Sequence, residues 1–269
     1  MLLLSTTLSG YPPLVIDQET GVGGAGPVII VGADGAEMVY IPDSVFFMGD
    51  NDGAVEERPR MSVFLEGFFM DRFEISNERF SKFIKETAYK PEGGFKFDSG
   101  SKNLPARRLT WKDVESYCAW AGKRLPLEYE WEKAARGVDG RKWPWGNNAK
   151  DRSKLTGVAG LVLMDEYDDP SGQSPYGCLH MADNVWEWVD DWFKGYVLNP
   201  EPAPRYGEKY KVLKGGSWWD CSFYKCGISA PVYNRSFFLR STKNNSFGFR
   251  CAKDDGNLAE TILTSGEGL

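Results

Sequence analysis

The chain has one histidine, no run of lysine or arginine, no internal repeat and no long apolar stretch, and each shortage removes a class of protein. Its longest apolar candidate, residues 26–31, falls far short of the roughly 18 to 20 residues that cross a bilayer, so no membrane span is expected. Without a basic patch, and with a net charge of -6, nucleic acid is not an expected partner, and a cation site suits the balance better. Self-similarity at the spacing of solenoids or propellers is absent. The opening MLLLSTTLSG has a short apolar piece but no positive region ahead of it, which argues against a signal peptide. Cysteine is scarce and odd in number, five, leaving at least one thiol outside any set of bridges. What the chain does have is 42% hydrophobic residues, ten tryptophans, 30 glycines and 15 prolines. That composition predicts one large domain, rich in loops and held together by rings.

In chain order, residues 1–36 alternate glycine, proline and short apolar pieces and read as an extended arm that lies on the domain or reaches a neighbour. Residues 37–49, EMVYIPDSVFFMG, read as two β-runs around Pro42, and 61–73 as a further strand pair. Ser76 stands at a helix cap position ahead of Phe80, Phe83 and Ile84, which share one face. Thr110 to Asp113 has the form of a capping box before Val114, Tyr117, Cys118 and Ala121, and Gly122 stops that helix. A third helix follows Pro126, with Trp131, Ala134 and Ala135 on one side and Gly137 past its end; Leu127 occupies its cap position, where Ser or Thr is preferred. Residues 148–175 have no periodicity, and the acidic cluster Asp165, Glu166, Asp168 and Asp169 reads as a solvated loop. A strand is expected at 210–213. Beyond it, 214–252 holds three of the five cysteines and many aromatic rings among Gly, Ser and Asn. A long polar-aromatic loop is uncommon in a compact domain unless it binds or catalyses something, so function is expected there.

Several segments resemble the formylglycine-generating enzyme family, also called the sulfatase-modifying-factor domain. They are FFMGDNDGAVEERP at 46–59, GFFMDRFEISNERFSKF at 67–83, LTWKDVESYCAWAGKRLPLEYEWEKAARG at 109–137, WPWGN at 143–147, SPYGCLHMADNVWEWVDDWF at 174–193, GGSWW at 215–219 and FGFRCA at 247–252. They keep the family's order. The resemblance implies an α+β domain with the C-type-lectin-like fold, loop-rich and low in regular secondary structure. It places an arm at 1–36, the domain at 37–253 and a tail at 254–269. Family membership alone leaves function open, because enzymes, inactive paralogues and binding proteins share the fold.

The resemblance also assigns sites. Cysteines at the positions of Cys118 and Cys251 form a disulfide in the family's secreted enzymes, which implies the same bridge here and an extracytoplasmic or secreted location; two buried thiols in a cytoplasmic homologue are the alternative. In the active enzymes, two cysteines spaced C-x4-C after the GGS tag bind copper(I) and oxidise a client cysteine to formylglycine. Cys221 and Cys226 keep that spacing after Ser217, and soft thiolates suit the ion. Cys221 lies one residue further from the tag than the pattern asks, and GISAPVYN and FFLRSTKN replace segments that help hold the client. A structural disulfide between Cys221 and Cys226 is the other reading. The NVWEW tag implies calcium, with Glu187 as side-chain ligand and Asp183 and Val185 as carbonyl donors. His180 stands where the family usually has Asn or Asp. Against calcium stands a reading in which Trp186, Trp188 and Trp192 are core rings and Glu187 bonds backbone amides. The superfamily's iron enzymes need three histidines, which one histidine cannot supply.

The remaining loop has the content of a recognition surface, with Trp218, Trp219, Phe223, Tyr224 and Tyr233 as rigid anchors and Asn234 and Asn245 as adaptable bonding groups. It also looks like the variable binding proteins that diversity-generating retroelements make on this fold. Phe237, Phe247 and Phe249 are expected in the core. The expected function is therefore a non-catalytic ligand- or protein-binding member of the family, using the 218–245 surface. The alternative is a copper-dependent oxidase, and a third reading is an accessory subunit held in a larger assembly by the N-terminal arm.

Overall fold

The computed structural model describes residues 29–97, 99–148, 172–199, 201, 203–217 and 231–256. The expectations placed on 1–28, on the acidic run at 165–169 and on 257–269 lie outside these residues. Helix starts fall where the caps stand. Helix α1 (Asn77–Thr87) follows Ser76, whose Oγ accepts from Arg79 N. Helix α2 (Trp111–Trp120) follows Thr110, and the two ends of its capping box answer each other: Asp113 N donates to Thr110 Oγ1, and Thr110 N to Asp113 Oδ2. Helix α3 (Glu128–Arg136) receives no cap from the Leu127 side chain. Asp191, distant in sequence, replaces it by accepting from Glu128 N.

Three sheets surround the helices. Strands β1 (Ile29–Val31), β2 (Glu37–Ile41), β5 (Phe68–Asp71) and β10 (Ala252–Asp254) form an antiparallel sheet in that order, while β3 (Ser44–Met48) pairs, among the described residues, with β4 (Met61–Leu65) alone. The third sheet has the order β8 (Ser236–Leu239), β7 (Tyr210–Lys214), β6 (Trp186–Trp192), β9 (Phe247–Gly248), with β6 and β9 parallel. The run 61–73, expected as one strand pair, is therefore split between two sheets. Burial explains the split: all four residues of β5 are buried, as a strand covered on both faces requires, whereas Ser62 and Phe64 of β4 face solvent.

Residues 29–36, assigned from the sequence to the arm, form an edge strand and a turn that is fastened to the core. Asp34 in that turn is buried and accepts from Tyr117 Oη and from Lys123 Nζ, both at 2.8 Å. Lys123 Nζ donates also to Asp71 Oδ1 at 2.7 Å, so one buried ammonium serves two carboxylates. The two respond differently. For Asp34 the Lys123 charge and its hydrogen bonds overcome burial and hold the carboxyl below its usual range. Asp71 is pushed up to about 6, by complete burial first and by the neighbouring Asp34 charge.

The core lies between α1, α2 and the third sheet on one side, and between α3 and the first sheet on the other. Phe247 and Phe249 are buried in the first part, and Phe237 stacks on Phe193 at 4.2 Å between centroids, all three as expected. Cys118 of α2 and Cys251, just ahead of β10, are joined in a disulfide across 133 residues. Among the described residues, no helix is long and apolar enough to cross a membrane. A bridge closing so long a loop contributes on the order of 2 to 4 kcal/mol by restricting the unfolded chain. The Cys118→Ala/Cys251→Ala protein should therefore unfold at lower denaturant concentration by that amount, with the slope of the transition as the check on unfolded-state compactness. An unchanged midpoint would show that the bridge adds nothing.

Candidate functional site

The 218–245 region can be approached from both of its described ends. Strand β7 leaves the sheet through Lys214, Gly215 and Gly216 to reach Ser217, which is buried. Gly215 has φ of 100°, and a Cβ there would lie 3.1 Å from the Trp131 ring, so this turn requires glycine. Lys214 has no solvent access; its Nζ donates to Glu132 Oε2 at 3.1 Å and lies 3.7 Å from Glu128 Oε1. Glu132 Oε1 accepts in turn from Arg136 Nη1 at 2.7 Å and from Gly49 N at 2.8 Å. Arg136 also donates to the carbonyls of Gly49, Gly140 and Arg141.

The described chain resumes at 231 on the same support. Val232 N donates to Lys142 O at 2.9 Å, and Trp143 and Trp145 beyond it lie nearly parallel, 6.2 Å between centroids. The Arg136 guanidinium carbon sits 5.8 Å from the centroid of the Tyr233 ring, and burial pushes that phenol up to about 12, so it stays neutral. Asn234 Nδ2 donates to Glu57 Oε1 at 2.9 Å. Arg235 holds both oxygens of Glu128, at 2.6 and 2.9 Å, and donates to Glu56 O and Lys194 O. Both ends of 218–230 are thus fixed to the charged residues of α3 and to the 49–57 turn. Within this support Glu132 is answered by Lys214 and Arg136, and Glu128 by Arg235, which makes it stiff.

Of the sequence-predicted site residues, Ser217, Tyr233 and Asn234 come together on this platform. Trp218, Trp219, Cys221, Phe223, Tyr224 and Cys226 lie outside the described residues. Asn245 belongs to a different neighbourhood: it is exposed in the turn before β9, and its carbonyl accepts from Arg107 Nη1 at 2.7 Å. Sequence reasoning did not single out Glu128, Glu132, Arg136, Lys214 or Arg235. Their only signal was the i, i+4 spacing of Glu128, Glu132 and Arg136, a pattern that usually marks a solvated helix face.

The tag at 183–187 is buried throughout. Glu187 Oε2 accepts from Trp131 Nε1 at 2.7 Å and from Arg250 Nε at 2.6 Å, and Oε1 accepts from Arg250 Nη2 at 2.7 Å. Its partners are an indole and a guanidinium, not the backbone amides weighed from the sequence. A carboxylate so neutralised does not fit a calcium ion, and among the described residues no three His, Cys, Asp or Glu side chains are placed to share a metal. Asn184 donates to Glu74 Oε1 at 3.0 Å, and Asn184 and His180 both take left-handed backbone, φ 59° and 61°, which Asn and His tolerate better than most residues. The His180 imidazole is pushed down to about 3, by burial first and then by the Arg250 charge.

Together, the three sheets and three α-helices of the described residues, the charged platform on α3 and the buried Arg–Glu pair define an α+β, C-type-lectin-like domain. The sulfatase-modifying factor enzyme 1-like domain model matches residues 31–255, and the chain belongs to that family. Mouse formylglycine-generating enzyme is 30% identical, across 81% of this chain and 75% of that protein. Mouse inactive C-alpha-formylglycine-generating enzyme 2 is 28% identical, across 84% of this chain and 88% of that protein. Among solved structures, PvdO from Pseudomonas aeruginosa aligns with a TM-score of 0.66 at 22% identity, and Treponema denticola variable protein 1 with 0.65 at 17%. Each alignment covers 86% of this chain and all of the other, and each shows the shared fold.

Two measurements check this description. If Arg250 serves Glu187, the thermal midpoint should be the same in EGTA and in millimolar calcium; a calcium-dependent rise would place the ion in this loop. His180 binds its proton less readily folded than unfolded, so its contribution is complete above the unfolded value near 6.5 and is lost as pH falls toward 3. At pH 5 the loss is about 2 kcal/mol. Asp71, held near 6, acts oppositely, favouring the folded state as pH falls toward its unfolded value. The comparison of His180→Asn with the parent isolates the imidazole: the variant should lose less stability between pH 7 and pH 5. Equal losses would refute a neutral buried His180.

Proposed function

We propose that this chain is a non-catalytic binding member of the family, recognising a protein or small ligand through the 218–245 aromatic surface. The observation that carries the reading is the platform. Lys214, at the end of β7, and Arg235 are both held by the neutralised carboxylates of α3, so the described residues on either side of 218–230 share one stiff support. A surface of Trp, Tyr and Phe anchors on such a support loses little conformational freedom on binding. The sequence adds a second strand of support, since GISAPVYN and FFLRSTKN stand where the family's enzymes contact their client. Mouse inactive C-alpha-formylglycine-generating enzyme 2 is a relative whose name records a member without the activity. The variable protein of Treponema denticola lends only its architecture. The buried Cys118–Cys251 bridge favours an extracytoplasmic setting, and with residues 29–36 fastened to the domain, the Gly-rich residues ahead of them are the part of the 1–36 stretch left for holding the domain in an assembly.

The second reading, a copper-dependent oxidase of a client cysteine, is favoured by the C-x4-C spacing of Cys221 and Cys226 and by the likeness to mouse formylglycine-generating enzyme. Bound copper(I) would supply the redox chemistry, with the two thiolates as ligands. One titration separates the readings. Reduced protein should show no tight one-to-one copper(I) binding in competition with a chromophoric chelator. Tight binding that is lost in Cys221→Ser and Cys226→Ser would instead establish the oxidase site. For the binding reading, Trp218, Trp219, Phe223 and Tyr224 changed together to Ala should abolish retention of a purified partner while the thermal midpoint moves by only a few degrees. Full retention would sink it.

A further inference from the structure

Away from the platform's upper face, a cleft of about 400 Å³ lies between the start of α3, the end of β6 and the inner residues of the β3–β4 pair. Its walls combine the thioethers of Met48 and Met61 with the rings of Tyr129, Trp192 and Tyr196, and its charged groups are Glu128, Asp190, Asp191, Lys194 and Arg235. All but one of these are answered. Arg235 holds Glu128 with two hydrogen bonds. Lys211 lies 3.2 Å from Asp190 and is itself boxed between the rings of Trp111 and Trp192, at 4.0 and 4.3 Å, so it cannot turn away. Lys194 pairs with Glu208 at 3.0 Å.

Asp191 is the exception. Its Oδ2 accepts from Glu128 N, and it has no ion-pair partner among the described residues. Burial, with Glu128 and Asp190 as like charges nearby, lifts it to about 6 against the pull of Lys211, whose ammonium is bonded to Asp190. Aromatic and thioether walls around one unanswered carboxylate suit a cation on an aliphatic stem, with the rings adding cation–π attraction. At the rim, Val197 is 95% exposed, apolar cover for the neighbours of a side chain that enters.

We propose that this cleft binds an arginine or lysine side chain of a partner polypeptide, with Asp191 meeting the cation and the aromatic and thioether walls enclosing its stem. Arg235 is one wall shared with the 218–245 stretch, but the proposal does not depend on that stretch being the recognition loop.

Calorimetric titration at pH 8, where Asp191 is ionised, tests this with Nα-acetyl-arginine methylamide, its lysine counterpart and the uncharged citrulline counterpart. Saturable one-to-one binding of a charged probe is expected, with citrulline unbound. Asp191→Asn retains an oxygen to accept from Glu128 N while removing the charge, and should bind about tenfold or more weakly, the scale of a lost charge-assisted hydrogen bond. Equal binding of citrulline, equal binding by a folded Asp191→Asn, or no saturable binding of either cation would overturn the proposal. If the variant does not fold, the citrulline contrast on the unaltered protein decides. n-Butylammonium bound as tightly as the lysine probe would overturn the assignment to a polypeptide.

Discussion

A guanidinium enclosed away from water must have its charge and every N–H answered, and at Arg250 all five N–H groups are accepted. Nε and Nη2 meet the two oxygens of Glu187, Nη1 donates to the carbonyls of Asp71 and Arg72, and Nη2 donates also to Leu179 O. These acceptors lie on β6, on the exit of β5 and on the loop leading to NVWEW, so one side chain links two sheets and the loop between them. Removing either charge would leave the other buried and uncompensated, a cost of about 3 to 5 kcal/mol. Glu187 also holds the Trp131 indole, which ties the pair to α3.

The same device recurs and accounts for a fold that has little regular structure. Backbone carbonyls that no helix or sheet satisfies still need donors when buried. Arg136 supplies three loop carbonyls, Arg235 two, and Lys133 Nζ the carbonyl of Pro42 between β2 and β3. Burial lowers the Lys133 ammonium to about 8, which measures how far it has been drawn from water to do this. Each cation replaces several main-chain hydrogen bonds that a longer strand or helix would have made. That is why Glu, Lys and Arg fill the interior of α3 beside Trp131 and Ala134.

Local signals were legible and distant ones were not. Ser76 and Thr110 announce α1 and α2 because a cap acts within four residues. Leu127 marked α3 as uncapped, and the missing acceptor could not be found by reading forward, since Asp191 reaches Glu128 only through the path of β6. Pairing failed for the same reason. The runs at 61–65 and 68–71 are adjacent and both β-like, but their partners are set by burial of β5 on both faces. The Cys118–Cys251 bridge was legible only through resemblance, as five cysteines leave several pairings open. At NVWEW the motif placed a carboxylate correctly in the interior, while its true partner stood two sheets' connections later, at Arg250.

The groups that hold the fold also have a definite place along the chain. The groups that hold the fold, Arg250 with Glu187, Arg136 with Glu132 and Arg235 with Glu128, lie on either side of 218–230 and satisfy one another directly. Each of these three pairs neutralises its own charge. The glycine turn at 215, where a Cβ would meet the Trp131 ring, belongs with them. Family membership rests on the fold that such groups hold, and the fold by itself does not fix what a member binds or catalyses.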